Sequence, residues 1–227
     1  MTEKPTTPGR DAAKQKSEQA VHQLVQQITT HPGDFGPYYE LATALVDLNS
    51  YAQAEELLMK ALGLFAKQPA AVERLRYGLG NVYYAAQDYP KAIAQFDQLG
   101  ADLKGAGYLM IAQSHMANGD HKRALAFALT ALASQPDDVA TLQVVAENLL
   151  ALGDMAQAGQ YYDQLLAQDP QNGRALFDRG LVAMVQGQPY AADFAQAKQL
   201  DPAYYAKGQQ RLVDIEKFMQ EKGQKKE

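Results

Sequence analysis

A small residue recurs along this chain inside an apolar helical pattern, at Ala42, Gly80, Ala112, Ala146 and Gly180, with spacings of 38, 32, 34 and 34. Twelve residues past these anchors stand Ala54, Ala92, Ala124, Ala158 and Ala192. Five identical residues from five, where roughly one position in six is Ala, mark a tandem repeat rather than chance. Leu58, Phe96, Ala128 and Tyr162 follow the first four alanines at a further four residues, and Pro136, Pro170 and Pro202 close successive repeats. A period of this length is one supersecondary unit that cannot bury its apolar face alone and must stack on its neighbours.

Each repeat reads as two helices. The first carries apolar residues at helical spacing, as Leu142, Val145, Ala146 and Leu149 do. A tight turn follows at Asn49-Ser50, Gln87-Asp88, Gly119-Asp120 and Gly153-Asp154. Gly accepts the left-handed conformation that ends a helix, and Asp accepts backbone N–H bonds at the start of the next. The small anchors have a packing reason: where two helices cross closely, Gly or Ala lets the backbones approach and a larger neighbour fills the groove.

In this pattern the chain resembles the tetratricopeptide repeat (TPR) family. Residues 81–92 (NVYYAAQDYPKA) and 146–158 (AENLLALGDMAQA) carry the family signature. Tyr108, Ala112, Gly119, Asp120, Ala124, Ala131 and Pro136 match it in the third repeat. The resemblance spans about residues 11 to 202 and implies an all-α, right-handed α-solenoid of tandem helix-turn-helix repeats with a C-terminal capping helix. Residues 1–10 are expected to be a flexible tail, 11–33 an N-terminal helix equal to half a repeat, 34–202 five repeats, and 203–227 the capping helix and tail. The chain departs from the pattern in several places. It has no Trp, and Tyr38, Tyr108 and Leu142 stand in that position. The first repeat is four residues longer around Phe65 to Ala71, and Gly100, Gly105 and Gly107 are expected to loosen the joint after the second. The fifth has lost about two residues, assigned to the stretch between Ala192 and Pro202. In the last helix Leu212, Ile215 and Phe218 are expected to cover repeat five.

Composition narrows the function classes. A net charge of −5 over 227 residues argues against a nucleic-acid binder, which needs a basic surface to displace phosphate counterions. With no cysteine there is no disulfide, zinc ribbon or thiol nucleophile. The first ten residues lack the apolar region of a secretory signal, and the most apolar run, Ala124 to Ala133, is too short to span a bilayer. The expectation is a cytoplasmic chain without membrane insertion.

Chemistry-bearing patterns are sparse. No pair among His22, His31, His115 and His121 has the i,i+3 or i,i+4 spacing of a helical metal site, and His115 falls at a core aromatic position. The carboxylates Glu55, Glu56, Asp137, Asp138, Glu147 and Asp154 form no recognisable catalytic pair. Gly78-Leu79-Gly80 lacks the strand-to-helix context of a nucleotide loop. His121-Lys122-Arg123 opens a helix, where an anion or plain solvation are the two readings, solvation being favoured. The chain is therefore expected not to be an enzyme and to need no metal or cofactor.

In such a solenoid the first helices line the concave side. Register assigns Tyr39, Thr43, Tyr77, Asn81, Tyr84, Gln113, Gln143, Glu147, Arg174 and Phe177 to a groove for a protein or peptide partner. Tyr supplies rigid area plus a hydroxyl, and Asn and Gln suit a peptide backbone. The Lys- and Asn-rich clamp by which some family members hold chaperone tails is missing; only Asn81 falls at one of its positions. The resemblance thus implies a scaffold or adaptor that binds a partner's segment in its groove. The alternative is a self-associating subunit, such as a homodimer, or a regulatory component of a larger assembly. It would use a convex face at Phe127 and Leu129, where the third repeat is apolar at outward positions.

Overall fold

The structure is a computed structural model that describes the backbone of residues 8–224 and the side chains of residues 19–215 and Lys217. Among the described residues it is helical throughout and has no strand. The described residues fall into two compact bodies that divide between Ser114 and His115. The first holds α1 (Pro8–Thr30), α2 (Gly36–Asp47), α3 (Tyr51–Leu64), α4 (Pro69–Ala85), α5 (Tyr89–Phe96) and most of α6 (Lys104–Ala117). The second holds the end of α6, then α7 (His121–Ser134), α8 (Val139–Ala151), α9 (Met155–Gln168), α10 (Gly173–Val185), α11 (Ala191–Leu200) and α12 (Pro202–Gln224). Residues 1–7 of the expected tail lie outside the described residues, and Pro8–Arg10 already belong to α1.

The turns follow the expected chemistry. Asn49, Gln87, Gly119, Gly153 and Gly187 sit at positive φ, between 57° and 84°, each just past the end of a first helix. Asp88, Asp120 and Asp154 then cap α5, α7 and α9 by accepting the N–H of Lys91, Arg123 and Gln157. The first helices are capped likewise: Asp138, Asn172 and Asp201 accept from Thr141, Ala175 and Tyr204. Each such cap stabilises its helix by about 1 kcal/mol.

The anchor residues belong to the core. Ala42, Ala112 and Ala146 are buried, and so are Gly80 and Gly180. A Cβ on Gly80 would stand 2.5 Å from the Phe96 ring, and one on Gly180 would stand 2.6 Å from Phe194. At these two glycines the small residue is thus the floor on which the aromatic of the second helix rests. The second series holds at Ala54, Ala92, Ala124 and Ala158, all fully buried.

Ala192 breaks the series. It is exposed, and Phe194 is the buried residue that meets Gly180. Phe194 is therefore the counterpart of Tyr162, and the two-residue loss precedes it rather than following Ala192. The shortening falls at the start of α11, which has 10 residues against 14 in α9.

The glycine-rich joint is also packed rather than loose. Gly107 is buried, and a Cβ there would stand 2.9 Å from Leu99 and 3.0 Å from the Phe96 carbonyl oxygen. Glu73 reaches across from α4 to accept the Leu103 N–H at 3.0 Å, and Lys104 donates to the Asp97 carbonyl at 2.9 Å. These glycines allow close approach. The extra length of the first repeat is absorbed by a 17-residue α4 and by Phe65, which is buried edge-on against Phe35 and Tyr38.

The final helix docks by its first two turns. Tyr204 and Tyr205 meet the Phe177 ring edge-on, 5.7 and 5.6 Å away. A Cβ on Gly208 would stand 2.2 Å from the same ring. Leu212 and Ile215 are half-buried, and the Phe218 side chain lies outside the described residues.

Candidate functional site

The proposed groove residues fall on the first helices, of which α2 packs on α4 in the first body and α8 on α10 in the second. In the first body Tyr39 on α2 lies against Gly78 of α4, where a Cβ would come within 2.9 Å of its ring. Arg74 of α4 covers the Tyr39 ring at 4.4 Å. Along α4, Tyr77 packs edge-on to Phe96 and Tyr84 edge-on to Tyr89. Both are half-buried, and burial raises both phenol pKa values above the usual range. Asn81 stands between them with its Oδ1 buried and without a hydrogen-bond partner among the described residues. Thr43 is exposed and returns its hydroxyl to the Tyr39 carbonyl, and Gln113 on α6 is half-buried. These rings, one guanidinium and three short polar groups offer stacking area and hydrogen bonds.

The second body carries a charged cluster. Gln143 donates to Glu147 on α8, and Glu147 is paired with Arg174 of α10 at 2.6 Å. One turn along α10, the buried Asp178 accepts from the Tyr204 hydroxyl at 2.8 Å and from Arg211 at 3.1 Å, both on α12. Burial raises the carboxyls of Glu147 and Asp178 above their ordinary range, against the opposing pull of the paired groups. Both guanidiniums lie over the Tyr204 ring, at 5.2 Å for Arg174 and 5.7 Å for Arg211. Glu147, Arg174, Asp178, Tyr204 and Arg211, together with Met116, His121, Leu150 and Ala151, line a pocket of about 330 Å³. Asn148, fully buried beneath it, donates to the Val144 carbonyl and meets His121 Nδ1 at 2.9 Å through Oδ1. Gln143 Oε1 is buried and has no partner among the described residues.

Phe177 is a correction. It is fully buried, ringed by Phe194, Tyr204 and Tyr205, and belongs to the core rather than the groove. Helix α12 covers this position, as a following repeat would. Tyr204 and Arg211 take its place in the pocket. Register counting stopped at repeat five and missed them; the Tyr204-Tyr205 pair ahead of Gly208 was the available signal.

On the outward side, Phe127 is half-buried and stacks on His115, with centroids 5.6 Å apart. It is therefore committed to packing within the helix pair. His115 is in turn the packed aromatic its position implied, its pKa lowered by burial. Leu129 is 40% exposed and lines an apolar groove with Leu125, Leu152 and Tyr161. Lys122 and Arg123 are solvated, while the His121 ring turns to Asn148. Among the described residues no group of three His, Asp or Glu could hold a metal ion, and no helix is long and apolar enough to cross a membrane.

Known proteins give the same architecture. One tetratricopeptide repeat model matches residues 39–102 and 145–204, and a second matches residues 106–138. No curated protein matches the chain significantly in sequence. Among solved structures, Pseudomonas aeruginosa pilF superposes with a TM-score of 0.70 at 19% identity, covering 88% of this chain and 92% of its own. YrrB, described as a TPR protein with an unusual peptide-binding site, gives 0.58 at 19% identity, covering 82% and 97%. The Cut9–Hcn1 assembly of the APC/C gives 0.65 at 14% identity over 82% of this chain and 37% of the matched chain. At these identities the likeness shows the fold, an α-solenoid of helical repeats, and such repeats serve as protein-interaction scaffolds. With its anchors, turns and caps in phase and the repeat models matching more than half its length, the chain belongs to the tetratricopeptide repeat family.

Proposed function

We propose that this scaffold holds an extended or helical segment of a partner protein against the inner faces of its first helices. One observation carries the reading: Tyr39, Tyr77 and Tyr84 stay half-buried on the adjoining helices α2 and α4, each ring held by a neighbour, Arg74, Phe96 and Tyr89 in turn. Such rings offer rigid contact area at small entropic cost. Asn81 and Gln143 supply amide groups that match a peptide backbone. The peptide-binding site attributed to YrrB, a protein of the same fold, adds support.

The test is titration with a partner segment recovered from an extract of the source cells. Ordering a flexible peptide costs entropy, so a dissociation constant on the order of micromolar is expected. Tyr77→Ala should weaken binding by about 1–2 kcal/mol. The Tyr39→Ala, Tyr77→Ala, Asn81→Ala triple variant should lose binding while keeping its helical spectrum. Parental affinity in that folded triple variant would refute the reading.

A further inference from the structure

The charges of the second-body pocket are layered. Its two carboxylates lie at the bottom, with side-chain exposures of 12% for Glu147 and 1% for Asp178. Its two guanidiniums lie above them, each 46% exposed. A ligand entering from solvent therefore meets cations first, although the four charges sum to zero. Each guanidinium has five N–H donors in a planar fork that matches a carboxylate. Arg174 gives Nη2 to Glu147, and Arg211 gives Nη2 to Asp178 and to the Tyr204 hydroxyl. Both thus retain N–H groups beyond those contacts while their position is fixed by a buried anion and an aromatic face. Such preorganisation removes much of the entropy cost of holding a long side chain for a ligand. Beyond the charged groups and Tyr204, the lining is apolar at Met116, Leu150 and Ala151, with His121 turned to Asn148.

Building on the groove reading above, we propose that the pocket between α8, α10 and α12 receives a carboxylate side chain of an acidic partner segment, gripped by Arg174 and Arg211 with an apolar neighbour against Met116 and Leu150. A basic ligand is disfavoured, because it would have to pass two arginines to reach carboxylates already paired. The whole chain, at net charge −5, repels an acidic peptide at long range. A preference for acid must therefore arise locally.

The experiment uses the full chain and fluorescein-labelled hexapeptides followed by anisotropy. One alternates leucine and glutamate and is amidated at its C-terminus. The second replaces glutamate with glutamine. The third is the glutamine peptide with a free C-terminal carboxylate. The amidated glutamate peptide should bind at least tenfold tighter than the amidated glutamine peptide. Two double variants should abolish that preference: Glu147→Gln with Arg174→Gln, and Asp178→Asn with Arg211→Gln. Each removes a cation together with the carboxylate beneath it, so no charge is left buried alone, and if one fails to fold the other still decides. Equal binding of both amidated peptides overturns the proposal while leaving the groove reading intact. Preference for the free-carboxylate peptide alone overturns it in favour of a chain terminus. Preference that survives in a folded double variant removes the arginines from the role. Failure of every peptide to bind also overturns it, and the partner titration above still decides the groove reading separately.

Discussion

Phe177→Ala should destabilise the protein by about 3–5 kcal/mol, the cost of removing a fully buried aromatic and leaving a cavity. The ring is the hub of the C-terminal end: Phe194, Tyr204 and Tyr205 pack on it with centroids within 5.7 Å, and Arg211 covers it at 5.2 Å. Its loss should unseat α12 and, through Tyr204 and Arg211, strip the buried Asp178 of its partners. Denaturant unfolding checks this, with hydrogen exchange reporting on α12. Tyr39→Ala is the control, since Tyr39 is only half-buried and should cost less. If Phe177→Ala unfolded with the parent and lost only partner binding, the residue would be a groove contact after all.

Gly80→Ala should destabilise by about 1–3 kcal/mol, although alanine is the better helix former. The new methyl would stand 2.5 Å from Phe96, which is fully buried, so the crossing of α4 and α5 must open. Gly63→Ala in α3 has nothing within 4 Å of the added carbon and should stabilise by about 0.4–1 kcal/mol through the unfolded chain. Adding Phe96→Leu to Gly80→Ala should make the two changes non-additive, because the smaller side chain yields the space. The same sign for both glycine variants in thermal melts would contradict the anchor role.

The fold was legible because repeat proteins write one packing solution several times. Ala42, Gly80, Ala112, Ala146 and Gly180 stand out by spacing alone, and each is buried. The left-handed turns at Gly119 and Gly153 and the aspartate caps after them follow from residue type, whereas Gln87 takes the same positive φ without being glycine. Where the periodicity is interrupted, spacing misleads. Ala192 matched by number, but helix α11 starts late, and the aromatic that seats on Gly180 sets the true phase. Gly100 and Gly107 read as slack in one dimension; in three they are points of close approach.

The inner-face residues were legible in kind but not in partnership. Tyr39, Tyr77, Asn81 and Tyr84 lie on α2 and α4, the first helices to which the repeat pattern assigns them. Register places Glu147 and Arg174 separately in the groove set, and the structure joins them as one pair on neighbouring helices. Asp178, Tyr204 and Arg211 escaped notice because two of them belong to the terminal helix, which the repeat pattern does not describe. Phe177 was misread for the same reason: what buries it is α12.

Site-specific photo-crosslinking tests the central claim most directly. A photoreactive phenylalanine analogue would replace Tyr84, a proposed groove residue on α4, in one variant and Gln160, exposed on α9, in another. Each would be irradiated in an extract of the source cells. A crosslinked partner is expected from position 84 and not from position 160, and prior addition of unlabelled recovered partner segment should suppress it. A partner captured from position 160 alone, with both variants folded, would place the working surface on the outside of the repeats and contradict the account.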